Sequence, residues 1–387
     1  MSAQASAETP PTSPSARVRP AVVRGLAAQR LRVVDVAIFY GERSGGIRTY
    51  LEAKARFAQE TNRFEHHLVI PGAVRASDGR GRHEQRSVGL ASSNGYRLPI
   101  GGSGPQATLA ALDPDVVLLH DPYWTPRSVT RTAHALGAVV VAVHHASVSL
   151  QATGLPGPHG VYATALRRWY RHAYAGVDAV MSVVDPEPDT GRPATFPLRL
   201  GLEPAFRPRP EVVRGDHVLY VGRLSREKGV RELMEATAAA AEPWPLVLLG
   251  SGPLDGALRE RARRLGIAHR VTFTPFRSDR DELARRFAGA RCAVLPGAHE
   301  TFGLAALEAA ACATPVVIAD TAPCGRLLGD LAERFRAGDS EDLRRAIERG
   351  RRHTPDHMRA QQLAAEYAWD RTLADELADI ERLVTRR

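Results

Sequence analysis

Apolar positions along this chain fall into two kinds of run. Short β-branched stretches at residues 33–40 (VVDVAIFY), 67–70, 116–120, 139–143 and 179–184 read as buried strands. Longer amphipathic stretches at 47–60 and 163–175 read as helices. The second half repeats the rhythm more clearly. Strands at 217–221, 246–249, 271–274, 292–295 and 316–319 alternate with a helix ending near Ala241 and with helices at 254–265, 281–288 and 303–312. The strand at 316–319 is expected to close its sheet, and amphipathic helices follow at 341–352 and 356–367. Strands alternating with helices predict parallel sheets joined by helical crossovers.

The rhythm breaks at 186–210, a stretch crowded with Pro and Arg. The expected fold class is therefore α/β, with two Rossmann-like doubly wound domains facing a cleft, at 31–200 and 201–368. In such sheets ligands bind outside the carboxyl ends of the strands, so the loops that follow strands are where chemistry is sought.

Composition narrows the picture. A chain of 387 residues suits two cores rather than one, and 44% apolar with 25% charged residues is globular composition. Three cysteines, Cys292, Cys312 and Cys324, form no CxxC and no Cys/His cluster, which argues against a disulfide framework or a structural zinc site. Residues 1–30 are rich in Ala, Pro, Ser and Arg, lack the apolar core of a secretory signal, and are expected to form a disordered leader. No apolar run is long enough to span a bilayer. Cytoplasmic placement is expected, with at most peripheral contact at the inner membrane face. The formal charge of +9 favours anionic partners such as nucleotides, anionic lipid or nucleic acid. Many arginines nevertheless fall on helix faces, Arg259, Arg263 and Arg344 among them, where a solvated surface explains them.

Two loops carry the chemistry. Gly222-Arg223-Leu224-Ser225-Arg226-Glu227-Lys228-Gly229 leaves a strand with a glycine, sets two cations five positions apart, and enters a helix through a second glycine. Cations beside a helix N-terminus suit phosphate oxygens. The second loop, His299-Glu300-Thr301-Phe302-Gly303-Leu304-Ala305-Ala306-Leu307-Glu308, separates two glutamates by seven residues. A carboxylate accepts bonds from vicinal hydroxyls, and the N–H groups of Phe302, Gly303 and Leu304 would be first-turn donors.

With these motifs the sequence resembles the retaining glycosyltransferases of GT-B fold grouped as family 4, the group 1 glycosyl transferases. The carriers are GRLSREKG at 222–229 and ETFGLAALEAAACATPVV at 300–317. Weaker likenesses are the glycine-rich loop Gly45-Gly46-Ile47-Arg48, the strand end VLLHDP at 117–122, the linker Gly201-Leu202-Glu203 and the segment Tyr367-Ala368-Trp369-Asp370. Three positions depart from the family pattern: Leu200 where the linker usually has Asn, Ala313 where the second signature usually has Gly, and TAPCGRLLGDL at 321–331 in place of a glycine-rich stretch.

The resemblance implies transfer of a hexosyl unit from a nucleotide diphosphate sugar, GDP-mannose or a UDP-glucose or UDP-N-acetylglucosamine type, to an acceptor hydroxyl on a lipid, saccharide or small natural product. It implies that Arg223 and Lys228 hold the diphosphate, Glu300 the transferred sugar and Glu308 the ribose. His120 would lie near the sugar or the acceptor. Gly46, Gly222, Phe302, Gly303 and Leu304 would approach the donor, and Arg277 would border the base. It also implies a C-terminal helix, 369–387, that packs back on the first domain. No DxD motif stands in either of these two loops, so no metal or other cofactor is expected, the two cations taking the metal's place. Adjacent His144 and His145 point to opposite faces of their strand, so one of them at most lines the cleft. His66 and His67 read as surface or core residues, and Trp169, Trp244, Met181 and Met234 as core.

Three other readings fit the sequence less well. A catalytically silent nucleotide-sugar-binding protein of the same fold is disfavoured by the presence of both glutamates and both cations. A nucleic-acid-binding protein lacks any helix-turn-helix, zinc-finger or aromatic RNA-binding signature. A dehydrogenase lacks the G-x-G-x-x-G after a first strand.

Overall fold

The central strands of each sheet are valine-, leucine- and isoleucine-rich runs with no polar face to offer water, so both faces there must be covered. The computed structural model describes residues 30–41, 45–89, 96–101, 103–145, 148–153, 157–183, 195–276, 278–298, 300 and 302–386. The expected leader lies outside them, apart from Arg30.

Within the described residues the first lobe holds strands β1 (Arg32–Val36), β2 (Glu65–Gly72), β3 (Ala76–Ser77), β4 (Arg82–Gly89), β5 (Arg97–Pro99), β6 (Val116–Leu119), β7 (Val139–His144), β8 (Ala179–Ser182) and β9 (Thr195–Pro197). Their order is β3-β4-β2-β1-β6-β7-β8-β9, with β5 on β4, and the strands are parallel except where β3 and β5 meet β4. Helices α1 (Gly46–Thr61), α2 (Gly104–Leu112), α3 (Pro126–Ala135), α4 (Val148–Thr153) and α5 (His159–Ala173) connect them. The second lobe is a six-stranded parallel sheet. It comprises β10 (Val218–Val221), β11 (Leu246–Leu249), β12 (Val271–Thr274), β13 (Cys292–Leu295), β14 (Val316–Ala319) and β15 (Ala332–Phe335), in the order β12-β11-β10-β13-β14-β15. Its helices are α6 (Val230–Ala238), α7 (Asp255–Arg264), α8 (Arg280–Gly289), α9 (Leu304–Ala311), α10 (Cys324–Leu328), α11 (Ser340–Arg352) and α12 (His357–Glu366). The chain ends with α13 (Trp369–Thr385).

Side chains alternate across the sheets as period-two geometry requires. Val33, Val116, Leu118, Val141 and Met181 enter a core that continues through Leu202, Phe206 and Trp369 into the second lobe, where it holds Leu219, Leu295 and Ile318. Val34, Val117, Leu119, Val140 and Val180 face the opposite side, under α2, α3 and α5. Val218, Leu246, Leu248 and Val294 do the same in the second lobe, packing on Met234 and Trp244. Met181, Met234 and Trp244 are thus core, as expected, whereas Trp169 is 43% exposed on the outer face of α5.

The differences from expectation have local causes. The first strand stops at Val36 because the Ile38 amide turns away to a buried Asp121 carboxylate at 2.7 Å. The sheet does not close at β14. β15 (AERF) adds an edge strand whose polar residues tolerate partial exposure while Phe335 enters the core. β4 (RHEQRSVG) was invisible to an apolar-run reading, since its inward side chains are Gln85 and Ser87, satisfied by Thr108 and the Gly72 carbonyl. Ala313 takes the left-handed conformation, φ 58°, which costs an alanine about 1–2 kcal/mol and accounts for a glycine preference there.

The chain passes between the lobes twice at one place. Leu202 bridges Ala368, its amide donating to the Tyr367 carbonyl at 2.6 Å. A β-carbon on Gly201 would lie 2.4 Å from Trp369 and 2.9 Å from the Thr372 hydroxyl, so only a glycine lets the indole seat. Past this point α13 packs along α1. Gly201→Ala should lower unfolding stability by about 1–3 kcal/mol in urea titrations, as overpacking does. Gly256→Ala, in α7 with no atom within 4 Å, should be neutral or stabilising by up to about 1 kcal/mol. Equal effects of the two substitutions would contradict this account of the crossing.

Candidate active site

The loops at the carboxyl ends of β10, β11 and β13 lie against one another, and glycines permit it. A β-carbon on Gly229 (φ 65°) would sit 2.4 Å from the Pro296 carbonyl, and one on Gly250 would sit 1.8 Å from the Gly222 carbonyl. The loop 222–229 is thereby pinned to the loop after β13. At the contact, Lys228 Nζ donates to both carboxylate oxygens of Glu300, at 2.9 and 2.8 Å. The residues assigned from sequence to the diphosphate and to the sugar thus satisfy each other. Arg223 is exposed, and its carbonyl accepts from the Tyr220 hydroxyl at 2.7 Å. A Gly222 β-carbon would meet that same hydroxyl at 2.8 Å.

Gly303 (φ 93°) caps α9, and a β-carbon there would lie 2.4 Å from the Cys324 sulfur. Phe302 and Leu304 flank it, so the three positions hold the start of α9 as expected. Glu308 lies one turn and a half into α9, its side chain 7% exposed. Burial pushes its carboxyl up to about 7, with Arg280 opposing the rise and Glu203 adding to it. Arg280, at the start of α8, reaches Glu308 Oε1 at 3.6 Å through Nη1 and donates to the Thr49 hydroxyl at 3.0 Å through Nη2. Thr49 is in the first turn of α1, three residues beyond Gly46, where a β-carbon would meet nothing within 4 Å. Among the described residues nothing fills the place of a Gly46 β-carbon, and Arg280 spans both lobes close by.

His120 enters a buried polar network below that helix. Its Nε2 lies 2.5 Å from Asp35 Oδ1, and its Nδ1 lies 2.8 Å from His145 Nε2. Asp35 also binds His66 Nε2 at 2.7 Å and Lys54 Nζ at 3.2 Å. Lys54 is paired with Glu376 of α13 at 2.8 Å, and Glu376 accepts from the Tyr50 hydroxyl at 2.6 Å. Burial alone would raise the Asp35 pKa, but Lys54, His120 and His66 hold it well below the carboxylate range. Burial likewise disfavours charge on Lys54, and Asp35 and Glu376 overcome it, raising its pKa.

The structure therefore joins Lys228 with Glu300, and Glu308 with the first turn of α1 through Arg280. Arg277 lies outside the described residues. Arg280, three positions on and the first residue of α8, was missed; its basic character at the start of that helix was the available signal. Asp35, Lys54 and Glu376 were also missed. A charged residue inside an apolar strand was the signal for Asp35, and nothing local marks the other two. His66, read as surface or core, has its side chain in the core, hydrogen-bonded to Asp35. Of the neighbouring pair, His145 joins His120 while His144 packs on Tyr170 and Tyr174, the opposite-face arrangement expected of strand neighbours.

Comparison with known proteins bears on the whole. Residues 205–361 match the family model for glycosyl transferases group 1. The chain is 31% identical over 376 residues to a GDP-mannose-dependent alpha-(1-6)-phosphatidylinositol dimannoside mannosyltransferase of Mycobacterium tuberculosis, covering 90% of this chain and 96% of that protein. A D-inositol 3-phosphate glycosyltransferase of Jonesia denitrificans is 32% identical over 212 residues, 48% of this chain and 45% of that protein. Among solved structures, sucrose-phosphate synthase from Thermosynechococcus elongatus superposes with a TM-score of 0.71 at 18% identity, covering 92% of this chain and 100% of that one. WaaG, a glycosyltransferase of lipopolysaccharide biosynthesis, does so at 0.64 and 17%, covering 90% and 99%. At those identities the two structures share the fold, which is GT-B. No helix among the described residues is long and apolar enough to cross a membrane. A near-full-length relative and a common architecture agree with the motifs at the cleft, and the chain belongs to the group 1 glycosyltransferases, enzymes that transfer a sugar from a nucleotide-sugar donor.

Proposed function

We propose that this enzyme transfers mannose from GDP-mannose, with retention and without a metal, to a hydroxyl of a mannosylated inositol phospholipid. The observation that carries this reading is the likeness, over nearly all of both chains, to a mannosyltransferase named for that donor and for a phosphatidylinositol dimannoside. The cleft chemistry is compatible with it. Glycosyl transfer expels a nucleoside diphosphate, and the negative charge that grows on its β-phosphate calls for fixed cations. Arg223 and Lys228 fill that role once Lys228 leaves Glu300, and Gly222 lets the diphosphate approach the backbone. Glu300, released in the same movement, accepts bonds from the sugar hydroxyls beside Phe302, Gly303 and Leu304. Glu308 takes the ribose hydroxyls, and Gly46 leaves room for the donor under α1. Contact with the membrane is then peripheral and made through the lipid acceptor, and no cofactor is needed.

Incubation with radiolabelled GDP-mannose and phosphatidylinositol dimannoside should give a labelled lipid product, at an unchanged rate in excess EDTA. UDP-glucose and UDP-N-acetylglucosamine should give none. Preference for a UDP-sugar would overturn the donor, and loss of activity in EDTA restored by manganese would overturn the metal-free mechanism.

The raised pKa of Glu308 gives a signed pH dependence. Folded Glu308 holds its proton up to about 7, whereas the unfolded chain releases it in the ordinary glutamate range. The stability this group contributes is present at low pH and is lost as pH rises between those values. The loss amounts to about 3 kcal/mol at most. Glu308→Gln should melt higher than wild type at pH 8, with the difference fading towards pH 4.5, and should bind GDP more weakly at both. Parallel melting curves across this range would show that Glu308 is ionised throughout.

A further inference from the structure

Arg280 is not placed for the benefit of its own helix. A cation in the first turn opposes the helix dipole, and the three acids beside it are already engaged. Asp279 accepts from the amides of Asp281 and Glu282 at 2.9 and 3.1 Å. Asp281 pairs with Arg209 and Arg285, and Glu282 pairs with Arg286 at 2.7 Å. Arg280 turns instead toward the first lobe. Its Nη2 donates to the Thr49 hydroxyl at 3.0 Å, while its Nη1 stops 3.6 Å from Glu308 Oε1, just beyond a hydrogen bond.

Thr49 is suited to hold it. Its hydroxyl donates to the Gly45 carbonyl at 3.5 Å and keeps a lone pair for the guanidinium. Seven positions on, and so on the same face of α1, Arg56 reaches Glu203 of the linker. Among the described residues, the charges that act on Glu308 are Arg280 from α8 and Glu203 from the linker. Cys312, one turn along α9, is a thiol that burial pushes up to about 12, so it stays uncharged. Burial and Glu203 favour a protonated Glu308, and Arg280 is the group that opposes them. The distinction matters for a vicinal diol. An ionised carboxylate accepts from both hydroxyls, whereas a protonated one gives up an acceptor site to its own O–H. Among the described residues no group hydrogen-bonds the Glu308 carboxylate, and its nearest cation is the one that Thr49 holds.

We propose that Arg280 is a positioning residue for the nucleoside: it keeps Glu308 charged for the ribose hydroxyls, and Thr49 of the first lobe keeps Arg280 within reach. Grip on the ribose in one lobe then depends on a contact with the other. The planar fork makes this possible, because one guanidinium presents separate donors to two partners, as a lysine ammonium in the same place would not. The dependence runs both ways. The Thr49 contact and the bound diol each favour the ionised carboxylate, so each favours the other.

The place of Glu308 at the ribose rests on the reading above, but its control by Arg280 and Thr49 can be measured without a nucleotide. Carboxyl ¹³C spectra of the ligand-free full chain, labelled at glutamate and assigned with Glu308→Gln, give the Glu308 midpoint. It should lie at about 7 in wild type. It should rise by about one unit or more in Arg280→Met and by about half a unit in Thr49→Val, which keeps the shape and removes only the hydroxyl. An unmoved midpoint in Arg280→Met would overturn the proposal, and an unmoved or lowered one in Thr49→Val would overturn the part played by the first lobe. Calorimetry with GDP and 2′,3′-dideoxy-GDP, which share base and phosphates, reads the consequence. The wild-type preference for GDP should grow by about tenfold between pH 6 and pH 8, and in Arg280→Met it should be about fivefold smaller at pH 7. The wild-type comparison decides the ribose claim even if a variant does not fold. Equal binding of the two nucleotides at every pH, with the midpoints moving as stated, would overturn Glu308 as the ribose carboxylate and leave its control by Arg280 and Thr49 standing.

Discussion

The arrangement of this molecule depends on the seating of the Trp369 indole against Gly201. Two doubly wound sheets could each fold with the other held at any distance. Here both passages of the chain meet at the Leu202–Ala368 bridge, and one core runs from Val33 through Trp369 to Ile318. Arg56 of α1 donates through Nη2 to both carboxylate oxygens of Glu203 in the linker at 3.0 Å, although such a part-exposed pair contributes little by itself. The consequence is geometric. The carboxyl ends of two parallel sheets face the same cleft, and Arg280 of one lobe reaches Thr49 of the other.

That seating also places a carboxylate. Two turns along α13, Glu376 enters the first lobe and pairs with Lys54, which binds Asp35 under His120. Removing one member of a buried charge group leaves the others uncompensated, so the network is a demanding structure to keep. Its members come from β1, α1, β2, the ends of β6 and β7, and α13, and they converge beneath the cleft. The second lobe is organised differently. Its pairs, Lys228 with Glu300 and Arg280 with Glu308, each join a part-exposed cation to a more deeply set carboxylate.

Much of this was legible in the sequence. The parallel strands declare themselves as short valine-rich runs, and the loops 222–229 and 300–308 combine charge and glycine in a way a surface loop does not require. Glycine is needed at 229 and 303 for conformations the structure does show, both with positive φ. What escaped was whatever depends on distant partners. β4 and β15 are held by their neighbours in the sheet and by side-chain hydrogen bonds, not by apolar pattern. Lys54 and Glu376 look like ordinary positions on amphipathic helices, 322 residues apart in sequence. They become a buried pair only because α13 returns to α1. His120 was singled out for its place at a strand end, but its burial could not be known before Asp35 was seen to lie on the neighbouring strand.

On the proposed reading Lys228 and Glu300, paired with each other between the two loops, serve opposite ends of the donor. Lys228→Ala should lose about 2.7–4 kcal/mol of transition-state stabilisation, roughly a 10²–10³-fold fall in kcat, because the charge it meets grows during transfer. It should also bind free GDP more weakly. Glu300→Gln should cut transfer while leaving affinity for GDP, which has no sugar, unchanged or slightly improved by the freed ammonium. Calorimetric titration of both variants with GDP, beside initial rates with GDP-mannose, separates the two roles. Equal loss of GDP affinity in the two variants would contradict the placement of Glu300 at the sugar.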